Sequence, residues 1–152
     1  MTSALNRRLV TVPATWFITL ALIVLAPLAL PVLVVVDLLR ARPRLPLARG
    51  WVFGLAYGLL ESAMLVVVAG LWVLTGFGLA MSTRWAQRLH YSLQRWWVGR
   101  LLRLLEAVLG LRFSIEGIEA LRPGPVIVFG RHVSLVDTLF PALALADSGL
   151  SL

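Results

Sequence analysis

Apolar positions in this chain fall in long unbroken blocks before they fall in any period. Leu9 to Val36 is a run of 28 residues without a formal charge. At about 1.5 Å per helical residue it exceeds the ~30 Å hydrocarbon core of a bilayer, so it predicts a membrane-crossing helix over about 9–36. Arg7 and Arg8 resemble the basic start of a secretory signal. The run is about twice the length of a signal's apolar region and lacks a small-residue cleavage site, so it is expected to remain as an anchor. Pro27 and Pro31 each remove a backbone donor in its second half and predict kinks. A second apolar block, Trp51 to Ser82, is interrupted only by Glu61 and predicts a second helix over about 51–83. Between the blocks, Asp37 to Arg49 carries Arg40, Arg42, Arg44 and Arg49 with Pro43 and Pro46, and reads as a linker at headgroup level. The two blocks together predict a helical hairpin.

From Arg84 to Gly110 the pattern becomes periodic. Trp85, Leu89, Leu93, Trp96, Trp97, Leu101, Leu104, Leu105 and Val108 recur at three- and four-residue steps, with Arg84, Arg88 and Arg95 on the other side. This predicts an amphipathic helix over about 84–110 lying in the membrane surface. Arg100 and Arg103 enter its apolar arc and point to a break near Gly99; His90 reads as an ordinary surface or interface residue. Beyond Gly110 the spacing turns to alternation. Phe113 and Ile115 against Arg112, Ser114 and Glu116 predict a half-exposed strand, Arg122-Pro123-Gly124 a turn, and Val126 to Phe129 a strand covered on both faces. Ser134 then serves as N-cap for a helix from Leu135 to Ala146, kinked at Pro141 and followed by Gly149 as C-cap. The expected fold class is thus an α-helical membrane hairpin plus an amphipathic interfacial helix, followed by the first β-β-α elements of an incomplete α/β domain. Residues 1–110 form the anchor and 111–152 the start of that domain.

Composition narrows the partners. With 60% hydrophobic and 14% charged residues and a mean hydropathy of +0.92, the chain has too few polar side chains to cover a soluble globule and too many apolar ones for disorder. All 14 basic residues are arginine, against seven acids, for a net charge of +7. Because the arginines flank apolar blocks, their expected counter-charge is the phospholipid headgroup and not nucleic acid. Two arginines precede the first block, four lie between the blocks and five follow (Arg84, Arg88, Arg95, Arg100, Arg103); with both ends on one side, seven face four, which favours cytoplasmic termini. A half-inserted hairpin with every arginine on one face is the other arrangement. The absence of cysteine excludes disulfides, thiolate metal sites and a thiol nucleophile. Gly54 and Gly58 form a G-x-x-x-G pair that permits close helix approach, read either as a dimerisation face or, the favoured reading, as the small residues common in such helices. Glu61 is read either as a buried functional acid or, the favoured reading, as an interface residue just before a span that begins at Ser62.

The stretch Gly130-Arg131-His132-Val133-Ser134-Leu135-Val136-Asp137-Thr138 carries the candidate chemistry. Residues five apart point about 140° from each other on one ideal helix, so His132 and Asp137 meet only if His132 is still in the turn and Asp137 in the first helical turn. Asp137 then accepts from one ring N–H of His132 and leaves the other nitrogen free to take a proton. Ile115-Glu116-Gly117-Ile118-Glu119-Ala120-Leu121, followed by Gly124 to His132 and Asp137, resembles the opening of the glycerolipid acyltransferases typified by 1-acylglycerol-3-phosphate acyltransferase. Their first block, H-x4-D or N-H-x-S-x-x-D, is matched by His132, Ser134 and Asp137, with Arg131 where the family commonly has asparagine. The resemblance covers about forty residues, 111–152. It implies an acyltransferase of phospholipid biosynthesis, in which His132 is the base on a lysophospholipid hydroxyl and Asp137 orients it. Arg131 and Ser134 would contact substrate, and acyl-CoA or acyl carrier protein would be the donor, with no cofactor and no metal. The family's later blocks do not follow, so the chain is expected to be a truncated portion, inactive alone. Its expected place is the inner or plasma membrane, with the catalytic part cytoplasmic. The alternative is a small non-catalytic membrane protein acting as an assembly or anionic-lipid-binding module.

Overall fold

A computed structural model describes the backbone of residues 2–112 and the side chains of residues 9–112. Three α-helices follow one another: α1 (Thr2–Leu39), α2 (Pro46–Leu74) and α3 (Arg84–Leu104), the last running into a single π-helical turn at Leu105–Leu109. No strand occurs among the described residues, and this corrects the mixed fold class: the architecture is helical. The physical reason is that long apolar stretches satisfy their backbone donors and acceptors inside a helix, whereas a strand there would need a partner strand. The β-β-α elements expected from Phe113 onward lie outside the described residues, and no such assignment is carried forward.

The α1–α2 joint differs from a plain linker. α1 continues through Pro13, Pro27 and Pro31 and past Asp37 to Leu39, and α2 begins at Pro46. Pro46 is a helix starter and not a breaker, because the first helical position has no use for an N–H. Leu45, in the left-handed region at φ 48°, precedes it and offers no side-chain cap. The cap comes from α1 instead. Asp37, fully buried, accepts through Oδ2 from the N–H groups of Leu47 (2.9 Å) and Ala48 (3.1 Å), and its carbonyl accepts from Arg42. Every donor of the first turn of α2 is thereby satisfied or missing by chemistry.

Farther along, the two helices touch through glycines. A Cβ on Gly54 would lie 3.8 Å from Leu22 Cδ1, and one on Gly58 would lie 2.5 Å from Thr19 Oγ1. Contacts thus move backward along α2 as they move forward along α1, so the pair is antiparallel. Thr19 is buried, and its hydroxyl donates to the Thr15 carbonyl at 2.8 Å, so the close approach strands no donor. The G-x-x-x-G pair is spent inside the hairpin.

α2 stops at Leu74, earlier than its apolar composition predicts, because Gly76, Phe77 and Gly78 take φ of 62°, 56° and 93°. The rings of Phe77 and Trp72 pack edge to face with centroids 4.9 Å apart, and buried Thr75 donates to the Leu71 carbonyl. Thr83 caps α3: its hydroxyl accepts from Ala86 N–H at 3.3 Å and donates to the Ala80 carbonyl. α3 passes through Gly99 unbroken. Its arginines leave the apolar arc by bending back, Arg103 Nε onto the Gly99 carbonyl (3.2 Å) and the Arg100 guanidinium over the Trp96 ring (5.4 Å). The irregularity comes later, in the π turn.

The buried cluster of Val98, Leu101, Leu102 and Leu105 packs on Phe53 and Leu60 of α2, joined by Trp97 and Leu109. The apolar stripe read as a membrane-surface face is therefore partly a docking face for α2. About 36 Å of helix separates Arg84 from Val108, and about 37 Å separates Leu74 from Arg49. α3 accordingly runs back to the end where α2 began.

Leu9–Leu39 and Pro46–Leu74 are long and apolar enough to cross a membrane, with mean hydropathies of 2.8 and 2.0. Their flanks are not consumed by internal packing: Phe17, Leu28, Val66, Leu74 and Leu39 (82% exposed) face outward. The core helix of a soluble protein would be mostly covered.

Replacing Asp37 with alanine leaves two N–H groups without acceptors. It is expected to destabilise the hairpin by ~1–3 kcal/mol in detergent unfolding, with Asp37→Asn losing less. Gly58→Ala is expected to lower stability and Thr19→Gly to recover most of the loss in a double-mutant cycle; additive losses would mean that the two do not touch.

Candidate functional site

Arg131, His132, Ser134 and Asp137, the residues that the sequence singles out for chemistry, lie outside the described residues. The structure describes the scaffold that leads to them, and the informative part of it is the end where the hairpin turns. There Arg40, Arg42 and Arg44 are exposed on the six-residue connection between α1 and α2. Hydrogen bonds tie this connection down: Arg42 N–H to Asp37, Leu45 N–H to Arg42, and Arg49 N–H to Leu45.

Arg49, on the first turn of α2, crosses to the far end of α3. Its Nε donates to the carbonyl of Val108, 59 residues along the chain. A guanidinium set against the last carbonyls of a helix is favoured by the hydrogen bond and by the negative end of the helix dipole. Gly110 then closes the π turn at φ 71°, and a Cβ there would come within 3.0 Å of Arg49 Nη2. Backbone conformation and the guanidinium both call for glycine. Exposed Arg112 follows two residues on, and exposed Arg103 lies about two turns earlier on α3. The acids at this end are Asp37, buried and bonded to α2, and exposed Glu106, which lines an open recess with Gly110, Leu111 and Arg112.

Two residues weighed from the sequence are located by the structure. His90 Nδ1 lies 3.0 Å from the Ala86 carbonyl; a carbonyl only accepts, so this nitrogen carries the proton. That is a local helix contact, as expected of an ordinary residue. Glu61 does not open a span. It is the sixteenth of the 29 residues of α2, because the helix starts at Pro46. Glu61 Oε2 and Ser62 Oγ are buried without a hydrogen-bond partner among the described residues, and Ser62 also lines the open apolar groove that Trp16, Thr19 and Leu20 form with α2. No group of three or more His, Cys, Asp or Glu that could hold a metal occurs among the described residues.

Sequence reasoning missed Arg49 and Asp37 as structural anchors, since each acts on a partner that only the fold brings near. Arg49→Met keeps the aliphatic stem and removes the donor. Amide exchange at residues 105–110 is expected to speed up roughly tenfold, equivalent to ~1.4 kcal/mol. Unchanged exchange would show that the bridge does not hold the π turn.

The chain matches no protein-family model, and neither a curated protein nor a solved structure is similar to it.

Proposed function

We propose that the chain is the membrane-anchored portion of an O-acyltransferase of phospholipid biosynthesis, working at the cytoplasmic face of the inner or plasma membrane. One observation carries this reading: His132, Ser134 and Asp137 stand in the order H-x-S-x-x-D, behind a hairpin whose two helices are long and apolar enough to cross a membrane.

In the proposed reaction Asp137 accepts from one ring N–H of His132 and fixes its tautomer, so the second nitrogen is an acceptor. That nitrogen takes the proton of a lysophospholipid hydroxyl as the oxygen attacks the thioester carbonyl carbon of acyl-CoA or acyl carrier protein. The C–O bond forms, the C–S bond breaks, and the departing thiolate takes the proton from the imidazolium, which returns His132 to its neutral form. The products are an ester and a thiol, with no change of oxidation state. A positioned base of this kind contributes on the order of 10²- to 10⁴-fold in rate. In this reading Arg131 and Ser134, neighbours of the base in sequence, contact substrate, the arginine being suited to a phosphate.

A second reading, a non-catalytic module that binds anionic lipid, is favoured by the arginines gathered at the turn of the hairpin. One assay separates the two. Membranes from cells expressing the reading frame that carries this chain are given a labelled acyl thioester and lysophosphatidic acid. His132→Ala is expected to lower turnover by at least ~100-fold with the amount of inserted protein unchanged; retained turnover removes His132 from the mechanism and leaves the module reading.

A further inference from the structure

We propose that the turn end of the hairpin is a binding surface for anionic phospholipid headgroups and that it faces the cytoplasm. This goes beyond the acyl-transfer reading and does not depend on it.

Counted along the sequence, the arginines after the second helix group with the N-terminal pair. The fold redistributes them. α3 returns along α2, and the bond from Arg49 to the Val108 carbonyl fixes its far end beside the start of α2. Arg40, Arg42, Arg44, Arg49, Arg103 and Arg112 therefore share the turn end, while Arg7, Arg8, Arg84 and Arg88 occupy the other; Arg95 and Arg100 stand between the ends along α3 and count for neither. The count of six against four reverses the orientation that sequence order favours, because the bias is set by arginine and lysine near the helix ends and hardly by acids.

The chemistry of this end selects its partner. Of the two acids there, Asp37 is buried and engaged with α2, which leaves Glu106 as the one exposed acid against exposed Arg40, Arg42, Arg44, Arg103 and Arg112. Arg40, Arg42 and Arg44 stand exposed at alternate positions, with Pro43 limiting the backbone between them. Guanidinium groups bind phosphate oxygens in pairs of parallel hydrogen bonds. The surface joins directly onto exposed Leu38 and Leu39 of a candidate span, so a bound phosphate would sit where the acyl chains of the same molecule run down the apolar flank. A lipid meets both demands at once; a nucleic acid meets only the first. The cytoplasmic leaflet is the anionic one, and its field attracts each arginine held near the surface.

Two measurements on the whole chain test the proposal. In phosphatidylcholine vesicles, the retention of a spin-labelled phosphatidylglycerol probe over its phosphatidylcholine counterpart is expected to fall at least ~tenfold in R40Q/R42Q/R44Q. It should stay in R84Q/R88Q, fall less in R40K/R42K/R44K, which keeps the charge and loses the paired hydrogen bonds, and weaken with added salt. Equal selectivity in the glutamine variant, at unchanged helical circular dichroism, overturns the surface. Displacement of the probe by an oligonucleotide at ~150 mM salt overturns the choice of lipid. Because the native sequence has no cysteine, single reporters read orientation directly: in intact cells an impermeant maleimide should label Ser82→Cys and reach Ala107→Cys only after lysis. The reverse pattern overturns the cytoplasmic assignment.

Discussion

A single carboxyl group decides how this chain turns back on itself. A helix whose first turn is buried presents N–H groups that water cannot reach, and leaving them without acceptors costs on the order of 1–3 kcal/mol. Leu45, the residue before α2, offers its carbonyl to Arg49 N–H but no side-chain cap, and Asp37 supplies the acceptor for the remaining two N–H groups of the first turn from the end of the preceding helix. Between Leu22 and Asp37 α1 advances 15 residues, while α2 retreats only seven between Gly54 and Leu47. The last turns of α1 therefore pass beneath the N terminus of α2, where a cap has to be. The short connection with its positive-φ residues Ala41 and Leu45 is the conformation that this placement demands.

Everything downstream inherits that geometry. With the start of α2 fixed, Arg49 projects toward the end of α3, and the cluster around Leu101 and Leu105 closes against Phe53 and Leu60. The three helices thus divide their labour. α1 and α2 supply the apolar length; α3 covers one side of α2 and returns the chain, at Gly110, to the arginine-bearing end. In the proposed acyltransferase the residues after Gly110 set out from that end.

The sequence made some of this legible and hid the rest for identifiable reasons. Two apolar helices were readable because Leu9 to Val36 and Ser62 to Thr83 contain no charge. The ends of α2 were not: Pro46 looks like a breaker until it is known to be the first residue of a helix, and hydropathy is blind to the left-handed backbone at Gly76, Phe77 and Gly78. The periodic stripe of α3 was visible, but a three- and four-residue period is the same whether the face meets lipid or another helix. Asp37 sat among arginines and prolines and looked like linker, since its partners lie across the turn. The G-x-x-x-G pair announced a close approach without saying to what, and Thr19 is the answer. His132 and Asp137 are legible as a motif alone, and their mixed α/β setting has no counterpart among the helices described.

The nesting of contacts also orders events in time. Asp37 and Leu47 are ten residues apart, Leu22 and Gly54 are 32, Thr19 and Gly58 are 39, and Arg49 and Val108 are 59. The entropy of closing a loop rises with the logarithm of its length, so each contact made shortens the loop left for the next. A hairpin built this way zips from its turn outward. The first two helices can pair while the third is still being made, and α3 arrives onto a surface already complete.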